Sequence, residues 1–542
     1  MKNILLFGLC QLTAICALAQ TDSTLNQSMT LEREFSPTVR QSQKLYRQPE
    51  SQTTKTDSRP DVEYADWEAM TVTSGWIRTA PAGQVVAQQK EARLGYVEAS
   101  AGNYWNADIR AGIRHGDFAV DANGFFTQGK LDVPTDLPEM LTPGFGKWKS
   151  RYLNGAIKGT YSHTLDNEAQ LEIHAAAAGH SLNTFNAAAE ATHFGQISAD
   201  ASYETDRMKV MLGYHYNGTH LLNPNISSAS TTPASPTGTS GESTTRTIAS
   251  SENVLFLKFS YGWYDLHSSW RTRLDVDLAE AFAAKNHFSI QPSLHLSYLP
   301  DPDQWRRYFM DLGIGTRHDE IYDILTETPI VSHCHDYKSA FDVFRLGIGY
   351  EDNEQGQFRW GGKLLLGYTL DALCGQAIMN ADDRMQLQGV NVRLFNDDSF
   401  SYGFEVKADY EMSRLFEAKA KVSYLGQSCD AARFARPSTQ LSCHLLSRPR
   451  HFVIDLGMDA ALGRKMETAI PSFTSSTSET IYKTETVDLD AHPDLNLRVD
   501  WQANSRLKVY AFARNMLNLH SELWPGVPQQ GINLHIGARY EF

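Results

Sequence analysis

One pattern limits this chain more than any other. From about residue 92 to Phe542, apolar and polar residues alternate in runs of about nine to twelve. In the last run Ile532, Leu534, Ile536, Ala538, Tyr540 and Phe542 are apolar, and Asn533, His535, Arg539 and Glu541 lie between them. Successive side chains of a strand point to opposite faces, so such a run has one greasy face and one polar face. Leu495, Leu497, Val499 and Trp501 repeat the arrangement against Asn496, Arg498 and Asp500, as do Tyr402, Phe404, Val406, Ala408 and Tyr410 against Glu405, Lys407 and Asp409. Runs at 270–278, 288–298 and 416–424 follow the same rule. Strands of soluble sandwiches are usually about five or six residues long. A strand that crosses a bilayer needs about nine to eleven. Aromatics mark the ends of many greasy faces, among them Trp270, Tyr298, Tyr402, Tyr410, Phe416, Tyr424, Trp501 and Tyr540, as the interfacial girdle of a barrel requires.

Connections alternate in length. Short polar turns at 115–117, 163–168, 204–207, 299–304, 351–357, 411–415 and 503–506 are interleaved with longer stretches at 130–147, 222–247, 317–340, 370–398 and 464–487, which read as external loops. The stretch 222–247 is mostly Ser, Thr, Pro and Gly and reads as exposed. The expected fold is all-β: a transmembrane antiparallel outer-membrane barrel of about 20 strands, with a range of about 18 to 22, preceded by a short extended N-terminal arm. Although 42% of the residues are hydrophobic, no apolar run after Gln20 reaches the length of about 18 that a membrane helix needs. If the chain enters a membrane, it enters as strands.

Ahead of the alternating part, Lys2, an apolar run over residues 4–17, and Ala17 and Ala19 compose a secretory signal peptide over residues 1–19. Neither Cys10 nor Cys16 follows a small residue, so cleavage is expected after Ala19 rather than lipid attachment. Residues 20–91 are polar and read as a periplasmic arm or partial plug, leaving 92–542 as the barrel. Cys334, Cys374, Cys429 and Cys443 remain after export, in a compartment that permits disulfides. Cys429 and Cys443 flank one external loop and are the expected pair. The group His333, Cys334, His335 and Asp336 reads as a polar loop rather than a metal site.

A net charge of −14 argues against nucleic acid, which needs a basic surface. The presumed lumen carries Arg271, Arg273, Asp275 and Asp277, then Glu405, Lys407 and Asp409, then Glu417, Lys419 and Lys421. Acid–base pairs can be picked from such a ladder at will, but opposite charges on neighbouring strands satisfy one another, and that structural reading is preferred. There is no G-x-S-x-G elbow, no phosphate loop and no dinucleotide glycine pattern, and the 18 histidines are scattered. No enzyme activity, cofactor, catalytic residue or metal ligand is expected.

The stretches Val509 to Asn518 (VYAFARNMLN) and Leu523 to Phe542, closing on Tyr540 and Phe542, resemble the last two strands of TonB-dependent receptors. Asn515, Met516, Leu517 and Asn518 stand where that family has N-L-F-N. Gly95 to Tyr104 and Leu31 to Val39 look like segments of plug-poor relatives. The resemblance implies a receptor or channel for solute uptake in the outer membrane of a Gram-negative bacterium, inserted by the barrel-assembly machinery acting on the C-terminal strand. The alternative is a non-transporting scaffold barrel with a surface or periplasmic protein partner. A barrel of this size needs its lumen filled. The arm is the expected filling, with the stretch 370–398 or another protein as the other candidates.

Overall fold

The computed structural model describes residues 94–542, apart from 133–141, 144–146, 166–168, 184–191, 224–245, 265–268, 284, 301–305, 334–337, 353–357, 382–385, 430–435, 474–479 and 520. The signal peptide, the arm, most of the Ser/Thr/Pro/Gly stretch and Cys334, His335 and Asp336 lie outside the described residues.

The strands are β1 (Gly95–Gly102), β2 (Ala107–His115), β3 (Phe118–Asp132), β4 (Thr142–Pro143), β5 (Lys147–Thr164), β6 (Gln170–Asn183), β7 (Thr192–Glu204), β8 (Met208–Asn223) and β9 (Arg246–Tyr264). Then come β10 (Trp270–Phe282), β11 (Asn286–Tyr298), β12 (Arg306–Arg317), the helix α1 (Ile321–Glu327), β13 (Val331–His333), β14 (Ala340–Asp352), β15 (Phe358–Ala381) and β16 (Gln386–Ser413). The chain ends with β17 (Phe416–Gln427), β18 (Pro437–Ser447), β19 (Phe452–Phe473), β20 (Thr480–Leu489), β21 (His492–Gln502), β22 (Leu507–Arg514), β23 (Glu522–Trp524), β24 (Val527–Pro528) and β25 (Asn533–Glu541). Twenty strands form a closed antiparallel wall. The ring shuts where β1 pairs with β25, from Tyr96 opposite Glu541 to Gly102 opposite His535. Closure leaves no unpaired edge, the condition for strands to sit in hydrocarbon. The other three strands of the 23-stranded sheet, β4, β13 and β20, lie beyond the wall.

The facing read from the last strand holds: Leu534 and Ile536 turn outward, the latter 69% exposed, while His535 turns into the lumen and is 2% exposed. Asn496, Arg498 and Asp500 are likewise buried in the lumen wall, while Trp501 faces out. Such an outward apolar surface is stable only against lipid. Around one end of the wall Trp270, Tyr298, Tyr308, Tyr350 and Trp360 make a continuous aromatic belt, with ring centroids 4.9, 6.3, 4.9 and 4.9 Å apart in turn. All five lie at the ends of strands joined by short turns, so this belt marks the periplasmic interface.

Charges of the lumen ladder are paired, some along one strand and some across strands, in line with the structural reading. Arg273 and His295 flank Asp275 at 3.1 and 2.8 Å. Lys421 reaches Glu405 at 3.3 Å, and Arg448 and Lys419 reach Glu417 at 2.7 and 3.5 Å. Asp409 stands directly opposite Lys419.

Candidate functional site

The mouth of the barrel is where this wall departs from a plain channel. Three wall strands are far longer than a bilayer crossing needs: β15 has 24 residues, β16 has 28 and β19 has 22. Their outer halves continue past the rim as a second layer. Residues 372–381 of β15 pair with 387–397 of β16. The outer part of β19 leaves the wall, pairs with β20, and runs parallel to β15 at Gln376, Ala377 and Ile378. β13 and β4 add to β16 at Val392 and at Gln386 and Leu387. The stretches 370–398 and 464–487, expected to be loops, are therefore largely strand, and 317–340 contains α1 and β13. Their alternation continues that of the wall, but polar residues such as Asp371, Asp397 and Asp398 interrupt it and read as loop boundaries.

This layer has the core of a soluble domain. Ala377, Met379, Leu387, Val390, Val392, Leu394, Met466, Ile470 and Leu489 are buried in one cluster with Ile321, Ile324 and Leu325 of α1. The i, i+3, i+4 spacing on α1 is the apolar stripe of a helix that packs on one side. The hairpin of β23 and β24 inserts Trp524 and Val527 into the same cluster. Its turn residue Gly526 has φ +77° and leaves Leu387 and Val390 3.3 Å from where a Cβ would stand, so both conformation and space call for glycine.

The cap closes on the far wall. Phe125, Tyr152, Leu182 and Phe194, on β3, β5, β6 and β7, point inward and join the cap's cluster. β15 is the thirteenth wall strand and β3 the third, ten apart in a ring of twenty, so the cluster reaches across the diameter by way of α1, whose Tyr322 meets His180 and Phe194. These inward apolar groups break the rule that a lumen face is polar, and the cap is what they bury against.

Polar contacts fix α1 at that wall. Glu252 of β9 is fully buried and accepts from His318 Nε2 at 2.5 Å, Asn217 Nδ2 at 3.0 Å and the Ile321 amide at 3.1 Å, so it caps the helix as well as holding the loop. Glu320 accepts from His215 Nδ1 at 3.0 and 3.1 Å and from Asn217 at 3.0 Å. Burial alone would raise the Glu320 pKa, but the hydrogen bond and charge of His215, with Asn217, hold it below its ordinary value. Tyr322 Oη lies 3.0 Å from His180 Nε2, and the His180 ring stacks on Phe194 with centroids 4.5 Å apart. Arg436, beyond β17, pairs with Glu327 at the other end of α1. Glu252, Glu320, His215 and His180 went unmarked in the sequence because each is one more polar residue on a strand or loop. The signal that was available is the apolar Ile321, Ile324 and Leu325 inside a polar stretch.

The expected cysteine pairing also changes. Cys443 lies on the outward face of β18, exposed, opposite Ala420 and Met458, so it is not the partner of Cys429. Cys429 packs on Cys374 instead. Asn533, on the polar face of the last strand, is buried and bonded to Asn106 at 2.9 Å and Gln530 at 3.1 Å. A cavity of about 630 Å³ is lined by Leu153, Gly155, Gly179, Ser181, His193 and His220 among others. Asn154, His180, Phe194 and Thr219 line it as well, so it is cut into the wall beside the groups that meet α1.

No protein-family model matches the chain, and no curated protein matches its sequence. Solved structures match in fold. A mutant of the ferric enterobactin receptor PfeA from Pseudomonas aeruginosa, in complex with enterobactin, is similar with a TM-score of 0.54 at 10% identity, over 83% of this chain and 81% of that one. The pyoverdine outer membrane receptor FpvA from Pseudomonas aeruginosa PAO1 gives 0.52 at 9% identity over 84% and 79%. The FrpB iron transporter from Neisseria meningitidis gives 0.50 at 10% identity over 84% and 82%. The likeness to TonB-dependent receptors read from the chain's end thus extends to the fold of the whole barrel.

Proposed function

We propose that this chain is an outer-membrane receptor or channel for solute uptake, not an enzyme, and that its gate is the external cap. The observation that carries the proposal is the single apolar cluster that joins the β15–β16 overhang and α1 to Phe125, Tyr152, Leu182 and Phe194 of the opposite wall, with Tyr322 of α1 against His180 and Phe194. A wall of 20 strands encloses a bore larger than that of the porins of about 16 to 18 strands, which already hold an aqueous channel. Something must close it, and a folded cap hinged on one wall and seated on the other does so reversibly. The similar solved structures named for iron, enterobactin and pyoverdine support uptake from outside. Export through the signal peptide over residues 1–19 and insertion through the C-terminal strand belong to the same reading.

Planar-bilayer recording tests it, comparing the full-length protein with a variant in which 372–397 is replaced by a short turn. Small conductance from the first and large steady conductance from the second is the expected result. Large conductance from the full-length protein would remove the cap as a gate. Small conductance from both would also remove it and assign closure to the arm over residues 20–91.

A further inference from the structure

Cys374 and Cys429 meet at the base of the cap. Cys374 lies on β15 just beyond the rim and is fully buried, and Cys429 follows β17 and is partly exposed. Cys429 and Phe395 both pack against Cys374, and Phe395 stands opposite it in the β15–β16 register. Both cysteines are free thiols in the structure, and Cys374 Sγ donates to the Ala372 carbonyl at 3.4 Å. Cys429 Sγ is also 3.7 Å from Asp397 Oδ2. Among the described residues no group of three or more His, Cys, Asp or Glu side chains could hold a metal ion. Burial, and then the neighbouring Cys429, push the Cys374 thiol well above the ordinary thiol range. A buried thiol kept protonated is a poor nucleophile, so the pair does not have the setting of a reactive site. Two apposed thiols in an oxidising compartment have another outcome.

We propose that Cys374 and Cys429 are joined by a disulfide that pins the root of the cap to the connection between β17 and β18. The two thiols give up two protons and two electrons as the S–S bond forms. The S–S bond of a disulfide-donor protein of the cell envelope breaks in exchange and takes them up as two thiols. Exchange takes place while the hairpin is still open, because afterwards Cys374 is enclosed. The bond would hold the proximal end of β15 and leave the distal seat at Phe125 and Phe194 free to part. The bond itself does not depend on the proposed gate; only its effect on conductance does.

The test uses full-length protein from outer membranes of a host with an oxidising envelope, alkylated without reductant and mapped by mass spectrometry. The expected result is one linked pair of peptides containing Cys374 and Cys429, with Cys443 fully alkylated. Alkylation of Cys429 in unreduced protein, or its linkage to another cysteine, would overturn the proposal, and this needs no variant to fold. Cys374→Ser should convert Cys429 from unlabelled to fully labelled. If the pin also restrains the gate, reductant should raise the conductance of the wild type severalfold and leave the double variant Cys374→Ser/Cys429→Ser unchanged. Linked peptides with no change in conductance would keep the disulfide and remove its role in gating.

Discussion

The wall and the cap are built from the same alternating strands with opposite burial. In the wall Ile536 is 69% exposed and the polar residue beside it, His535, is 2% exposed. In the cap Leu387, Val390 and Val392 are fully buried. The difference is the solvent on each side. Hydrocarbon surrounds the wall, so its apolar face needs no protein partner and its polar face must pair within the lumen. Water surrounds the cap, so its apolar face must find protein, and it finds the opposite wall. One continuous strand, β16, obeys both rules along its length and changes from one to the other at the rim.

The comparison breaks most visibly if a large cap side chain is cut away. Leu387→Ala should destabilise the cap by about 2 to 5 kcal/mol, the usual cost of emptying a buried leucine site. The barrel should still assemble. Hydrogen exchange over β15 and β16 should then accelerate beyond the rim and remain slow within it, while heat-modifiable migration on gels stays as in the wild type. Loss of heat-modifiability would show that cap and wall fold as one unit.

Within the wall, Ile536→Arg should cost about 2 to 4 kcal/mol, as a cation facing lipid near the midplane does. Assembly would fail while a soluble-type core is untouched. The lumen-facing control is Asn123→Arg, because Asn123 is exposed within the bore, whereas Asn533 is tied to Asn106 and Gln530. Equal migration of the Ile536 and Asn123 variants would contradict the assigned facing.

How much was legible in the sequence follows from these two environments. The wall could be read residue by residue, since period-2 alternation sustained over bilayer length suits a strand held between lipid and a polar lumen and little else, and the strand count of about 20 matches. The cap could not, because the identity of its partner is a long-range fact. Nothing near Phe125 or Phe194 in the chain says that they will share a buried cluster with Leu387, and a lumen-facing aromatic looks like any other strand residue. The cysteines failed for the same reason: Cys429 and Cys443 are close in sequence, but one turns to the cap and the other to lipid. Only the facing of β18, already fixed by its alternation, held a clue.

The smallest expected effect concerns how the cap is fastened, and it separates the polar seat from the apolar one. Glu320 is held by His215 and Asn217, and its pKa is below the ordinary carboxylate value. For an acid lowered in the folded state, the stabilisation is complete above the unfolded pKa, about 4.3. It declines as pH falls further and is gone below the folded pKa. Hydrogen exchange of α1, once corrected for intrinsic rates, should therefore accelerate as pH falls below about that value; nearer neutral pH the raised pKa values of Asp323 and His215 act on α1 as well. Glu320→Gln should lose about 1.5 to 3 kcal/mol of protection at neutral pH, the range for hydrogen bonds to a charged group, and should show no further loss on acidification. The apolar seat has no such dependence, since Ile321, Ile324 and Leu325 do not titrate. If wild type and variant lose protection at the same pH, the polar contacts do not fasten α1, and the apolar stripe alone holds the cap in the mouth.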